Sequence, residues 1–245
     1  MANLKFACKA VSILALATSL CVPLQAKATT TQIYDGRVDS KLRKISEAES
    51  KAVEAAVTPS AKRKWEKSCE QAFEIKSVCD GAFTKAGSKQ SAFLYSFCET
   101  GHALGMGGIA IMEKGKLVAH FAYEAGGEYD IARLADLDGD GMDDIAIVAG
   151  STNQGYTISG IAIIGINSNA VKKFGRFEIY NDNSGAVEKN AQTFTWSFTS
   201  DIPSKSPTFL QQKFKQVGKN WVKSGSSTKA IPEKDEVNYE VLSAK

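Results

Sequence analysis

The chain is short of the residues and patterns that announce an enzyme. It has two histidines, His102 and His120, in 245 residues, and neither stands in a catalytic context. There is no G-x-S-x-G, the strand–turn–helix signature of a serine hydrolase. The run Gly101-His102-Ala103-Leu104-Gly105-Met106-Gly107-Gly108 contains G-x-G. No helix with a Lys-Ser/Thr pair follows it, so it reads as a loop entering a strand rather than a phosphate cradle. No apolar run after residue 28 is long enough to cross a bilayer. Nor is there an excess of charge. Lys5, Lys9 and Lys27 stand without an acid in the first 28 residues, and removing them leaves 27 basic against 27 acidic residues. A formally neutral chain excludes the polyelectrolyte attraction on which nucleic-acid binding depends.

The first 28 residues read as a secretory signal peptide. Lys5 and Lys9 form its basic start, Val11 to Leu24 its apolar core, and Ala26-Lys27-Ala28 its cleavage site. A core of 14 residues falls short of the about 20 that a membrane span needs. The expectation is a protein that does not span the membrane and is periplasmic or extracellular after cleavage near Ala28. Cys8 and Cys21 leave with the signal, and Cys69, Cys79 and Cys98 remain. In an oxidising compartment three cysteines imply one disulfide and one free thiol. On one straight helix Cys69 and Cys79 would lie about 15 Å apart, which favours Cys98 as a partner for one of them. Together with His102 these cysteines match no zinc spacing.

Residues 29–80 read as an N-terminal polar and helical segment. Residues 29–39 look loose. A helix is expected over Ser40 to Val57, a break at Thr58-Pro59, and a second helix with Trp65, Cys69, Ala72 and Phe73 along one face. From about residue 90 the period becomes two. Apolar runs are separated by turn signals at Glu113-Lys114-Gly115-Lys116, Asn167-Ser168-Asn169, Asn181-Asp182-Asn183-Ser184-Gly185 and Gly218-Lys219-Asn220. No helix-length crossover interrupts them, which excludes a doubly wound parallel sheet. The fold class is mainly β: an antiparallel, propeller-blade-like meander over residues 81–224, with the N-terminal helical segment before it (α+β overall) and a polar tail over 225–245.

One segment carries chemistry: Asp136-Leu137-Asp138-Gly139-Asp140-Gly141-Met142-Asp143-Asp144. Carboxylates at relative positions 1, 3, 5 and 9 would repel one another in a short loop. Calcium relieves this, since it takes six to eight oxygens. Asp136, Asp138, Asp140 and Asp144 would supply carboxylates and Met142 its backbone carbonyl, with Gly141 at the sharp turn. An EF-hand would need a glutamate at position 12, where Ile147 stands in a strand-like run. A strand–loop–strand site follows. Over residues 126–150 the segment resembles the FG-GAP/VCBS-type repeat, whose mark is a DxDxDGxxD loop followed by a strand. The resemblance implies a calcium-binding blade in an exported protein, with Asp136, Asp138, Asp140, Met142 and Asp144 as ligands. It covers one copy only, and no second acidic loop occurs.

Two further segments admit a ligand but read more simply. Gly150-Ser151-Thr152-Asn153-Gln154-Gly155-Tyr156 could offer amides and hydroxyls to a sugar, yet fits a connecting turn. Phe194, Trp196 and Phe198 could stack on sugars, yet alternate as a core face does. The combined reading is an exported calcium-binding β-domain protein. It is a non-enzymatic binding or envelope-associated module that recognises a polysaccharide or protein surface. The alternative is a secreted hydrolase using the carboxylates or His102.

Overall fold

The computed structural model describes residues 29–242 except 39–42, 65–72, 101–103, 168, 187–190 and 235. Residues 1–28, where the signal peptide is expected, lie outside the described residues, as do Trp65, Cys69, His102 and the side chain of Cys98. The chain opens with β1 (Thr29–Asp35), α1 (Glu47–Lys64), β2 (Glu74–Gly81), β3 (Gln90–Thr100), β4 (Leu104–Glu113) and β5 (Lys116–Ala125). It continues with β6 (Glu128–Leu134), β7 (Asp144–Asn153), β8 (Tyr156–Ile166), β9 (Val171–Asp182), β10 (Thr193–Ile202), β11 (Phe209–Val217) and β12 (Asn220–Lys223). Two short strands, β13 (Thr228–Lys229) and β14 (Glu240–Val241), end it. The protein is mainly β, and among the described residues all strand pairs are antiparallel.

Two open sheets form. One has the order β14-β5-β4-β3-β2. The other runs β12-β11-β10-β9-β8-β7-β6, with β1 added on β10 and β13 on β11. The meander β6–β9 stacks between the two remaining parts of the β structure, which explains its sequence. On β7 and β8, Ile145, Ile147, Ala162 and Ile164 face the first sheet, where Leu94, Ile109, Ile111 and Phe121 meet them. Ala146, Val148, Ile161 and Ile163 face the opposite way, toward Phe177, Phe198, Phe209 and β1's Ile33. Strands buried on both faces lose the apolar–polar alternation, hence Ile145-Ala146-Ile147-Val148 and Ile161-Ala162-Ile163-Ile164. The outer face of the first sheet is covered by α1. Val53, Val57 and Ala61 pack there on Val78, Phe93, Tyr95, Ala110 and Met112.

Several expectations for the N-terminal segment need correction. Residues 29–35 are not loose; β1 pairs with β10 over Thr29–Asp35. The helix begins later, at Glu47, on a capping box. The Glu49 amide donates to Ser46 Oγ (3.2 Å), and the Ser46 amide donates to Glu49 Oε2 (2.9 Å). It does not stop at Thr58-Pro59 but runs to Lys64 with Pro59 inside. A proline costs a helix one backbone bond. Burial of Val57 and Ala61, both fully enclosed, outweighs that cost here. Cys79 lies on β2 rather than on a helix, opposite Ala92 of β3, and its thiol is free. Phe73 stacks on Tyr95 at 5.2 Å and belongs to the core beneath α1. The described part of the polar tail is paired as well. Residues 228–229 pair with β11 and 240–241 with β5, while Ala230 and Leu242 are buried. It is a strap tying one sheet to the other.

The glycine run entering β4 has a packing explanation. Gly107 and Gly108 pair directly with Tyr123 and Tyr95 on the flanking strands. A Cβ at Gly108 would sit 2.2 Å from the Tyr95 hydroxyl, and one at Gly107 would sit 3.0 Å from the Tyr123 ring. The tyrosines lie over bare backbone, an arrangement that recovers the packing lost at sheet glycines.

Candidate metal centre

The acidic segment is the connection between β6 and β7, whose last pair is Leu134 with Asp144. A core residue anchors it. Leu137 is fully buried against the β10 side of the core. Its amide donates to Asp144 Oδ2 (2.7 Å), and its carbonyl accepts the Ser204 amide (2.8 Å). Around that plug the chain turns tightly. Gly139 and Gly141 take φ of 81° and 84°, the left-handed region in which a side chain is strained. Their amides donate to Asp136 Oδ1 (2.7 Å) and Oδ2 (2.8 Å). Backbone donors therefore fix the orientation of the first carboxylate.

Three of the expected ligands converge. Asp136, Asp138 and Asp144 place one carboxylate oxygen each within 4.8 Å of one another. Asp140 is not part of that group; its Oδ1 accepts the Met142 amide (2.8 Å). The Met142 side chain is half-buried beside the loop. Asp143 points elsewhere, accepting the Ala82 amide (2.8 Å) and facing Arg133 Nη1 at 3.5 Å, and so ties the loop to the turn after β2.

The electrostatics match the crowding. Burial, with Asp138, Asp140 and Asp136 nearby, pushes the Asp144 carboxyl up to about 7, against the pull of the Leu137 N–H. Asp144 is only 2% exposed. Gly165 leaves room for it, since a Cβ there would lie 2.8 Å from Asp144 Oδ1. Burial also raises the Asp140 carboxyl, with Asp138 and Asp136 adding to the effect. A cation is present already: Lys172 Nζ lies 2.7 Å from Asp138 Oδ2. Sequence reasoning missed this lysine because it comes from β9, far along the chain.

The comparisons with known proteins return nothing. No family model matches the chain, and neither does any curated protein or solved structure. Among the described residues, no helix is long and apolar enough to cross a membrane.

The other sequence candidates are placed as follows. The segment 150–156 is the β7–β8 hairpin, turning at Gln154-Gly155. Trp196 and Phe198 are buried in the core, and Phe194 packs beside them under Lys213 Nζ at 3.7 Å. His120 is 1% exposed beneath α1. Its Nδ1 lies 3.0 Å from Ser60 Oγ and its Nε2 lies 2.6 Å from the Tyr95 hydroxyl. Ser60 donates to the Val57 carbonyl (3.0 Å), so Nδ1–H donates to Ser60 and Tyr95 donates to Nε2. The ring is neutral and satisfied, and burial pulls its pKa down to about 4. A serine beside a histidine suggests a nucleophile and its base. Here the serine proton is committed to a helix carbonyl, and Ser60 is 7% exposed. The constellation holds a helix to a sheet.

Proposed function

We propose that the protein is an exported calcium-binding β-domain protein of the FG-GAP/VCBS type, serving as a non-enzymatic binding or envelope-associated module. The convergence of Asp136, Asp138 and Asp144 carries this reading. Three carboxylates facing one centre, one of them buried, are unfavourable as a set of bare charges. One lysine offsets part of that charge. A hard divalent cation offsets more and accepts the oxygen donors that the loop offers. Asp136, Asp138 and Asp144 would hold it, with Asp140 and the Met142 carbonyl completing the shell. The ion's role is structural: it fastens the loop that links β6 to β7, and with it the Leu137 plug.

The test is a thermal melt of the protein in calcium and in chelator, beside the same pair for Asp138→Ala. At a hundredfold excess over Kd, calcium adds about 2.7 kcal/mol to the native state. The melting temperature should rise in the wild type and stay fixed in Asp138→Ala. A wild-type melt that ignores calcium refutes the reading.

A further inference from the structure

The β7–β8 hairpin continues past the core, and residues 151–154 at its tip are exposed. Beside it lies an open cleft of about 200 Å³, lined by Ser151, Ile158, Ser159, Arg176, Glu178 and Glu233 together with bare backbone at Gly126, Gly150 and Gly160. The strap forms one wall: the Glu233 amide donates to the Arg176 carbonyl (2.8 Å). The polar groups there are not consumed by the fold. Among the described residues, the Arg176 guanidinium, the Glu233 carboxylate and the Ser151 hydroxyl have no side-chain partner. Glu178 is engaged through one oxygen, by Asn181 Nδ2 at 3.0 Å. The Tyr129 hydroxyl reaches Ser159 Oγ only at 3.4 Å.

We propose that this cleft binds a neutral pyranose unit of a saccharide. The proposal rests on the binding-module reading and names its ligand class, but it does not depend on the metal. Two carboxylates against one guanidinium repel phosphates, uronates and nucleic acid. The guanidinium in turn opposes a bare metal cation. What remains is an uncharged ligand whose groups both donate and accept. Ring hydroxyls do this: they donate to Glu178 and Glu233 and accept from the Arg176 fork and Ser151. Ile158, 47% exposed, offers an apolar surface to the C–H face of the ring.

The experiment is a titration of the full-length protein with glucose, galactose, mannose and N-acetylglucosamine, read by NMR at Arg176 Nε–H and at the Gly150 and Gly160 amides. Saturable shifts there with at least one sugar are expected. Arg176→Ala and Glu233→Gln should each weaken that sugar by about tenfold or more, or about 1.4 kcal/mol. Their melting temperatures should stay unchanged. Absence of saturation with all four sugars overturns the proposal. So does affinity undiminished in both variants, or tighter binding of trigalacturonate than of any neutral sugar. Failed sugar titrations beside an intact calcium-dependent melt remove only this cleft. Sugar binding beside a calcium-blind melt removes only the metal.

Discussion

Acid should loosen this protein through one residue, His120. Its ring is enclosed between Ser60 of α1 and Tyr95 of β3, neutral, with a pKa near 4 in the fold. In the unfolded chain the same ring titrates near its ordinary 6.5. Between these values the unfolded state binds the extra proton, so stability is full above 6.5 and is lost as pH falls toward 4. A difference of about 2.5 units corresponds to about 3 kcal/mol. For a chain of this size that is roughly 6–12 °C in melting temperature. Among the described residues, Tyr95 and Ser60 are its hydrogen-bonding neighbours. Asp144 works in the opposite direction. Its raised pKa gives stability that is present below its ordinary 3.8 and lost as pH rises through about 7. A wild-type pH scan therefore mixes the two. The informative quantity is the difference between wild type and His120→Gln in urea unfolding, in chelator, at pH 7, 5.5 and 4. His120→Gln should be the less stable protein at pH 7, and the gap should close by about 3 kcal/mol by pH 4. A gap that is the same at all three pH values would show that His120 does not titrate against the fold.

Other residues give sharper local tests. Leu137→Ala removes the fully buried plug and should cost about 2–5 kcal/mol by chemical denaturation; it should also weaken calcium, because Leu137 anchors the loop to the core. Lys172→Gln removes the ammonium competing for Asp138. Exposed ion pairs are worth about 0.2–1 kcal/mol, so calcium titration should show affinity rising by up to about fivefold. Gly108→Ala drives a Cβ into the Tyr95 hydroxyl and should destabilise by about 1–3 kcal/mol. If Tyr95 yields instead, its bond to His120 breaks, and the pH dependence described above should change with it.

How much of this was legible before folding varies by segment. Where a strand ends at a glycine turn, local chemistry sufficed. Glu113-Lys114-Gly115-Lys116 closes the β4–β5 hairpin with Lys114 and Gly115 at positive φ, and Gly218 turns β11 into β12. Tyr156–Ile166 and Phe209–Val217 are strands that end just before the turn signals at Asn167 and Gly218. Where a segment depends on a distant partner, local chemistry misled. Thr29–Asp35 is polar and forms a strand because β10 offers it backbone groups. The tail is ordered by two separate sheets. Pro59 reads as a stop until the sheet beneath α1 rewards Val57 and Ala61 for remaining helical.

The candidate site divides in the same way. The spacing of Asp136, Asp138 and Asp140, with glycines at 139 and 141, follows from the sequence alone, because a tight acidic loop needs those residue types at those positions. Which carboxylates meet was decided by the tertiary structure. Leu137 enters the core and draws Asp144 inward, while Asp140 turns to the Met142 amide. Lys172 comes from β9, and Arg176 meets Glu233 only because the strap returns across the sheet. The physical reason is range. Turn chemistry and side-chain periodicity act over a few residues, whereas burial and charge act through space on residues that the chain keeps far apart.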